Sequence, residues 1–208
     1  MINRLTSRRD IRFLSFLCCL VYFVSYLTRL NYAACLAEVQ RSLNISKSLA
    51  GLPVTGCFIT YGIGQLLCGF MGDRFHPRDM IFTGLTATSV CNLLAALFPR
   101  IEVIIPIWCF NGFFQSMLWP PLVRVMAEGL DEEHYKKCCV QVSVASSAGM
   151  IAVYVLAPVC MFISVWRLAF IFPGLLGIAT AFFWLLSFTR LQSDGTNTVS
   201  ALNVEMET

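Results

Sequence analysis

Charged side chains are scarce in this 208-residue chain. Only 13% of the residues are charged, whereas 57% are hydrophobic, and the mean hydropathy is +0.71. A soluble domain carries about 25% charged residues, so this composition excludes ordinary soluble enzymes, disordered proteins and secreted disulfide scaffolds. The net charge of +3 is small and the arginines are scattered, which argues against nucleic acid as a partner. The composition indicates a chain that lies in a lipid bilayer.

Patterns that would hold a metal or perform catalysis are also missing. The ten cysteines include no Cys-x-x-Cys pair, and most of them lie in long apolar runs, where they behave as small hydrophobes. Neither His76 nor His134 has a partner at metal-ligand spacing. The sequence contains no nucleophile paired with a base, no phosphate-binding loop and no nucleotide fingerprint. We therefore expect no metal, no cofactor and no enzymatic activity.

Long uncharged intervals dominate the sequence instead. Five of six such intervals have 20 residues or more, the length that an α-helix needs to cross about 30 Å of hydrocarbon, and Arg29 interrupts the first. Because open-edged backbone cannot face lipid, we predict an all-α membrane protein with a six-helix transmembrane bundle over residues 12–190. A cytoplasmic segment, 1–11, precedes the bundle, and a disordered cytoplasmic tail, 191–208, follows it. The predicted spans are 12–37, 48–72, 80–99, 103–125, 138–163 and 167–189.

The basic residues between the spans favour one orientation. Ten of them flank the chain termini or lie in the second and fourth loops, and four lie in the alternate loops. The positive-inside rule then places both termini in the cytoplasm, and an even number of spans requires the termini to share a side. We expect a multi-pass protein of the plasma membrane.

Arg29 is the most informative residue, because a cation inside a spanning helix costs about 2.5 to 3.5 kcal/mol on insertion scales. One interpretation is that its guanidinium points into a watery cavity and binds two oxygens of a phosphate or carboxylate. The other is that its side chain extends to the nearer membrane surface. Tyr22 and Tyr26 lie seven and three residues earlier, on the same helical face. These hydroxyl groups beside a cation favour the binding interpretation.

Two further pairs of polar or aromatic residues share a helical face. Tyr61 and Gln65 lie four residues apart in a glycine-rich second span, and Gln115 and Trp119 lie four apart in the fourth, just before two prolines. For each glutamine, a hydrogen bond to a neighbouring helix and a contact with a ligand are both open. The two prolines predict a kink or a loosened helix, which transporters use for moving gates.

The segment after the second span carries a motif. Gly69 is followed by Asp73 and Arg74 in a Gly-x-x-x-Asp-Arg pattern, with Arg78 further along. This pattern resembles the cytoplasmic loop signature of the major facilitator superfamily. Asp73 at a helix end, with the two arginines, could form a charge network that holds helix bundles in one state of a transport cycle. A plain cytoplasmic turn held by its arginines is the alternative.

Two further segments narrow the resemblance. The sequence Tyr-Leu-Thr-Arg-Leu-Asn-Tyr at 26–32 and Asn-Gly-Phe-Phe-Gln-Ser-Met-Leu-Trp-Pro-Pro at 111–121 are similar to segments of the organophosphate:phosphate antiporter family. That family includes glycerol-3-phosphate and hexose-phosphate transporters, and the similarity runs from about residue 12 to residue 190. The resemblance implies that Arg29 is the arginine that binds phosphate and that Tyr22, Tyr26 and Tyr61 accompany it. It also implies exchange of an organic phosphate for inorganic phosphate by alternating access.

The chain departs from the family pattern at two places. Gln65 stands where glycerol-3-phosphate carriers have a lysine, and the fifth span has no histidine at 143–148. The predicted site therefore keeps one cation, which favours a monoanion or a sugar phosphate bound partly through its hydroxyl groups. The spans also contain no Asp or Glu, which favours exchange over proton symport.

Members of that family have twelve helices in two halves, with the site between them, and this chain resembles the amino-terminal half. Three alternatives follow. The chain is half of a carrier that needs a missing carboxyl-terminal half, or two copies pair, or it belongs with membrane sensors of sugar phosphates that signal to a partner. We expect as partners a small anionic substrate, the lipid bilayer and a second six-helix half.

Overall fold

Seven α-helices make up most of the part of the chain that the structure describes. A computed structural model describes the backbone of residues 4–71, 74–162 and 166–206 and the side chains of 4–70, 74–162 and 166–192. No strand occurs in these ranges. The helices are α1 Arg8–Leu43, α2 Lys47–Met71, α3 Pro77–Leu97, α4 Ile101–Ser116, α5 Trp119–Gly129, α6 Glu132–Phe162 and α7 Leu168–Met206.

Six helical stretches among the described residues are long and apolar enough to cross a membrane. They confirm the predicted six-helix bundle, because α4 and α5 together form one stretch, Ile101–Gly129. Several helices extend past the predicted ends. In α1 the helix begins at Arg8, where the Ser7 hydroxyl accepts a hydrogen bond from the backbone N–H of Arg9 at 3.3 Å. Such a cap stabilises a first helical turn outside the hydrocarbon, so the uncharged interval underestimates the length of the helix.

The fourth span is broken between α4 and α5. Ser116 ends α4 and Trp119 begins α5, with Met117 between the two as the cap of α4. Pro120 and Pro121 have no backbone N–H, so they cannot bond to the carbonyl groups four residues earlier. This is the interruption that the two prolines predict.

The helices pack in three close pairs, α1 with α6, α2 with α4 and α3 with α7, and α1 contacts all the others. Small residues permit the close approach. An ideal Cβ at Gly149 of α6 would lie only 2.7 Å from the carbonyl oxygen of Phe23 in α1. Gly112 of α4 likewise lies directly against the carbonyl group of Cys57 in α2. Membrane helices use such glycines because apolar lipid provides little force to drive the helices together.

The two ends of the bundle differ in charge. At one end the backbone N–H of Leu5 donates to the carbonyl of Gly129 at 2.9 Å, and at the other the Trp166 indole donates to the Ser42 hydroxyl at 3.1 Å. We call these the terminal face and the opposite face. The terminal face carries ten cations, which are Arg4, Arg8, Arg9, Arg12, Arg74, Arg78, Arg124, Lys136, Lys137 and Arg190. The opposite face carries four, which are Arg41, Lys47, Arg100 and Arg167.

The last helix differs from the predicted boundary. The sequence predicts that the last span ends at 189 and that a disordered tail covers 191–208, but α7 continues to Met206. Its apolar part, Leu168–Gln192, is the membrane-length stretch. Because extending an existing helix avoids the cost of nucleation, a polar segment can continue a helix that an apolar span has already formed.

Two helices are poorly covered by the rest of the bundle. Only 22% of the most apolar stretch of α2 and of α6 is buried, against 44 to 56% for the other four stretches. Large apolar side chains of both helices are therefore exposed. They are Leu52, Phe58, Ile59, Ile63, Leu66, Leu67 and Phe70 on α2 and Val140, Val144, Met150, Ile151, Tyr154, Val155, Val159 and Phe162 on α6. These faces are available to lipid or to another helical protein.

Candidate functional site

Arg29 lies in α1, well away from either end of the helix. Its Cζ atom lies 4.4 Å from the centroid of the Tyr26 ring and 5.2 Å from that of the Tyr61 ring, so the guanidinium contacts aromatic faces from α1 and α2. Tyr26 precedes Arg29 by one helical turn. The side chain therefore leans towards the start of α1 and away from the nearer end of the helix at Leu43, which argues against extension to the opposite face.

The Arg29 guanidinium is incompletely satisfied by the protein. Its Nε is buried and has no hydrogen-bond partner, and Arg29 takes part in none of the ion pairs among the described residues. A cation over an aromatic ring gains about 0.5 to 2 kcal/mol. Two rings together gain about 1 to 4 kcal/mol, which is comparable with the cost of inserting the charge, but they leave the hydrogen bond of the Nε group unmade. The arrangement leaves directional N–H donors for an anion.

Aromatic side chains extend this site along α1. The Tyr22 and Tyr26 rings contact each other with centroids 5.4 Å apart, and the Tyr22 ring lies 4.9 Å from that of Trp119 at the start of α5. Four of the predicted site residues, Arg29 included, thus form one continuous group on α1 and α5. Tyr61 joins them from α2 through its contact with Arg29.

Gln65 reaches this group through Tyr61. Its Nε2 donates to the Tyr61 hydroxyl oxygen at 2.9 Å, and both side chains are half-buried. A hydrogen bond to a neighbouring helix, which the sequence left open, is not among the contacts of the described residues. Gln65 instead polarises a phenol that itself contacts Arg29.

Gln115 has a different position from the other predicted site residues. It is 3% exposed, and its Nε2 donates to the Thr28 hydroxyl at 2.9 Å and to the Ser25 carbonyl at 3.1 Å. Both partners belong to α1, so the structure supports the helix-packing interpretation. A ligand contact for Gln115 would require these bonds to break.

Three buried asparagines form a network that the sequence interpretation missed. Asn92 of α3 and Asn111 of α4 donate to the Thr28 carbonyl oxygen at 2.8 and 3.2 Å. Asn31 donates to the Asn92 side-chain oxygen at 2.5 Å and to the carbonyl of Ala169 in α7 at 2.9 Å. The signal was present, because buried amides inside uncharged spans need partners. The network fixes α1 against α3 and α4 at the residue that precedes Arg29, and against α7 two residues after Arg29.

The cleft beside Arg29 is small. It has a volume of about 20 Å³ and is lined by Arg29, Leu30, Ala33, Val54, Cys57, Phe58 and Trp108. Ligand pockets usually measure about 300 to 1,000 Å³, so this cleft has room for little more than a water molecule. Arg29 is half-buried, and the described bundle does not enclose a ligand beside it.

The predicted loop network is only partly visible, because Asp73 lies outside the described residues. Arg74 is exposed, and Gly69 has open space around it. Arg78 pairs with Asp79 at 2.8 Å and donates through Nη1 to the Thr189 hydroxyl at 3.5 Å. Arg78 thus links the start of α3 to α7, on the terminal face.

Comparison with known proteins identifies the family. The sequence profile of the Major Facilitator Superfamily matches residues 18–202. The chain is 32% identical over 167 residues to the glycerol-3-phosphate transporter of Bacillus subtilis, a match that covers 77% of this chain and 37% of that protein. It is 27% identical over 161 residues to a probable hexose phosphate transport protein of Chlamydia muridarum, covering 77% of this chain and 35% of that one.

A shorter sequence match and a more distant structural match agree with this family. The chain is 30% identical over 105 residues to the membrane sensor protein UhpC of Escherichia coli, which covers 50% of this chain and 24% of the sensor. Its fold matches a bacterial homologue of the human lysosomal transporter Spinster in an inward-facing, occupied conformation. The TM-score is 0.78 at 13% identity, over 88% of this chain and 45% of that chain.

The chain spans about a third of the length of the two transporters it matches and under half of the Spinster homologue. The similarity to transporters of glycerol-3-phosphate and hexose phosphate confirms the resemblance seen in the sequence motifs. This chain is therefore a multi-pass membrane protein of the Major Facilitator Superfamily, a family of carriers and not of enzymes, and its relatives match the organophosphate:phosphate antiporter family.

Proposed function

We propose that this six-helix bundle forms one half of a carrier that moves a small phosphorylated metabolite across the plasma membrane by alternating access, in exchange for inorganic phosphate. The observation that carries the proposal is the Arg29 guanidinium, held inside a membrane-length helix between two tyrosine rings with a buried, unpaired Nε. Two oxygens of a phosphate or a carboxylate match the planar fork of a guanidinium, and the similarity to transporters of phosphorylated metabolites favours phosphate.

The proposed site contains one cation, and this limits the substrate. Gln65 adds a neutral amide and Tyr61 a phenol, where a lysine would have added a second charge. A single guanidinium balances a monoanionic phosphate more completely than a doubly charged ester. We therefore favour a phosphate monoanion or a sugar phosphate whose hydroxyl groups bond to Gln65, Tyr22 and Tyr26.

The exposed faces of α2 and α6 support a second six-helix half. These two helices are the least covered, and the cleft at Arg29 is too small to enclose a substrate by itself. A facing half would bury both apolar faces and close the site over Arg29. Relatives that are more than twice as long contain additional chain that can supply this half, and a second copy of this bundle is the other source.

The charge difference between the two faces supports an orientation with both termini in the cytoplasm. The terminal face has ten cations and the opposite face has four. Cytoplasmic loops retain positive charge during membrane insertion, so the terminal face faces the cytoplasm under this proposal. Binding of substrate and phosphate to the same arginine then couples their movement, since only an occupied site is neutral enough to reorient.

Exchange in proteoliposomes tests the proposal. Purified chain is reconstituted at a protein density that lets two copies pair as the two halves, with labelled phosphate inside. Efflux is measured on addition of outside phosphate, glycerol-3-phosphate, a hexose phosphate or a carboxylate. We expect efflux that requires an outside phosphate compound and that Arg29→Gln abolishes. The matched control is Arg100→Gln, which removes one exposed cation from the opposite face and should leave exchange intact. Exchange that persists in Arg29→Gln would contradict the proposal.

A sensor is the second candidate function, favoured by the similarity to the membrane sensor protein UhpC. A sensor needs to bind its ligand without moving it. The same reconstituted chain separates the two, because a sensor would bind a sugar phosphate through Arg29 and yet support no exchange even with a second half present.

A further inference from the structure

A cleft of about 740 Å³ opens on the terminal face between the beginning of α1 and the part of α7 near residue 190. Its lining residues are Arg9, Asp10, Arg12, Phe13, Arg190 and Leu191. Three of these are arginines that come together from positions almost a whole chain apart. We call Arg9, Arg12 and Arg190 the arginine cleft.

The charges in the arginine cleft are unbalanced. Three guanidinium groups share it with one carboxylate, Asp10, and none of the three takes part in an ion pair among the described residues. Arg12 uses one N–H, from Nε to the carbonyl of Arg8 at 3.2 Å. Each guanidinium has five N–H donors, so most donors in the cleft have no partner among the side chains that the structure describes. The start of α1 adds the partial positive charge of a helix N-terminus.

The cleft lies where an apolar surface ends. Phe13 beneath the arginines contacts Phe183 of α7 edge to face, with ring centroids 6.4 Å apart. Phe16 lies three residues after Phe13 on α1, Leu186 lies four residues before Arg190 on α7, and both side chains are exposed. A row of exposed apolar side chains that leads to three cations has the polarity of the boundary between hydrocarbon and headgroups.

We propose that the arginine cleft binds the phosphate group of an anionic phospholipid, with the acyl chains of the lipid along the Phe13–Phe183 surface. The charge selects an anion, and the adjoining apolar surface selects an amphiphile over free phosphate. One bound headgroup would contact α1 and α7 together, so it would reduce the repulsion between Arg190 and the arginines of α1. This site lies on the terminal face and is separate from Arg29.

Lipid retention measures this binding directly. The full chain is purified in mixed micelles of phosphatidylcholine and phosphatidylglycerol, and the lipids bound to it are counted by native mass spectrometry. We expect retention of phosphatidylglycerol over phosphatidylcholine. Since each basic residue near an anionic headgroup contributes about a fivefold preference, R9Q/R12Q/R190Q should lose most of this selectivity.

A matched control removes the same number of charges elsewhere. R41Q/K47Q/R100Q takes three exposed cations from the opposite face and should keep the selectivity of the wild type. Equal loss in both triple variants would show a general charge effect and overturn the proposal. If the cleft variant does not fold, R190Q against R190K makes the same comparison, with selectivity expected to fall in the first and to persist in the second.

A competition arm distinguishes the two sources of phosphate. Inorganic phosphate and glycerophosphoglycerol, which is the headgroup without acyl chains, are added to the phosphatidylglycerol complex. We expect neither to displace the lipid at concentrations equal to that of the lipid. Displacement by either at equal concentration would mean that the cleft is a site for soluble phosphate and would overturn the lipid assignment.

Discussion

Replacing Asn92 by leucine should destabilise the bundle by a modest and calculable amount. The side chain is fully buried, and it makes two bonds between helices, to the Thr28 carbonyl at 2.8 Å and from Asn31 at 2.5 Å. Its third bond, to Thr88 at 2.9 Å, lies within α3. In membrane proteins a hydrogen bond between helices contributes about 0.6 kcal/mol on average, so two give about 1.2 kcal/mol.

The hydrogen bonds that remain after the substitution keep the loss of stability small. After the substitution Asn31 still donates to the Ala169 carbonyl at 2.9 Å, and the Thr28 carbonyl still accepts from Asn111 at 3.2 Å. No partner of Asn92 between helices is left without a bond. The larger penalty of about 1 to 3 kcal/mol for an unsatisfied buried group should therefore not appear.

Equilibrium unfolding in mixed micelles with increasing dodecyl sulfate, followed by far-UV circular dichroism, measures the difference. Thr86→Val is the matched control in the same helix, because the Thr86 hydroxyl is buried and has no hydrogen-bond partner among the described residues. Its loss should leave stability unchanged or slightly improved. A loss above about 3 kcal/mol for Asn92→Leu, or an equal loss for Thr86→Val, would refute the account of the network.

Three further predictions follow from other regions. Gly149→Ala should destabilise the bundle by about 1 to 3 kcal/mol, because the added Cβ would press on a backbone carbonyl of α1. Gly62→Ala should leave stability unchanged, because the space around Gly62 is open. Unfolding in dodecyl sulfate compares the two variants. Asp73→Asn should slow exchange while leaving the affinity for phosphate within about twofold, and an equal loss of both would contradict its role in conformational exchange. The backbone N–H and ring of His134 hold the pKa of Asp131 below its ordinary value, so this interaction stabilises the fold above about pH 4 and is lost as acid protonates the carboxyl group. Below about pH 4, the melting temperature of the wild type should therefore fall more steeply with pH than that of Asp131→Asn. Equal slopes for the two proteins would contradict a stabilising contact between Asp131 and His134.

The sequence predicts the bundle well because the bilayer imposes a simple rule. Each uncharged interval had to be a helix, and six membrane-length stretches result. Helix ends were less predictable, since Ser7 and the polar residues after Arg190 continue helices beyond the uncharged intervals. The gap between Ser116 and Trp119 follows from two prolines, so its place was visible in the sequence.

The candidate site was predictable where residues share one helix and less so where they join different helices. Helical spacing placed Tyr22, Tyr26 and Arg29 together, and the rings contact as expected. The contact between Arg29 and Tyr61 depends on how α1 and α2 pack, which spacing does not show. Gln115 had two open roles in the sequence, and only the bonds to α1 distinguish them.

The central claim is that Arg29 binds a phosphate anion, and direct binding tests it without requiring transport. Labelled inorganic phosphate is titrated onto the purified chain in phosphatidylcholine nanodiscs, with Arg29→Lys, Arg29→Gln and Arg100→Gln alongside the wild type. We expect saturable binding in the wild type and Arg100→Gln, weaker binding in Arg29→Lys because the planar fork is lost, and none in Arg29→Gln. Saturable binding of equal affinity in Arg29→Gln would show that the anion binds elsewhere and would contradict the account.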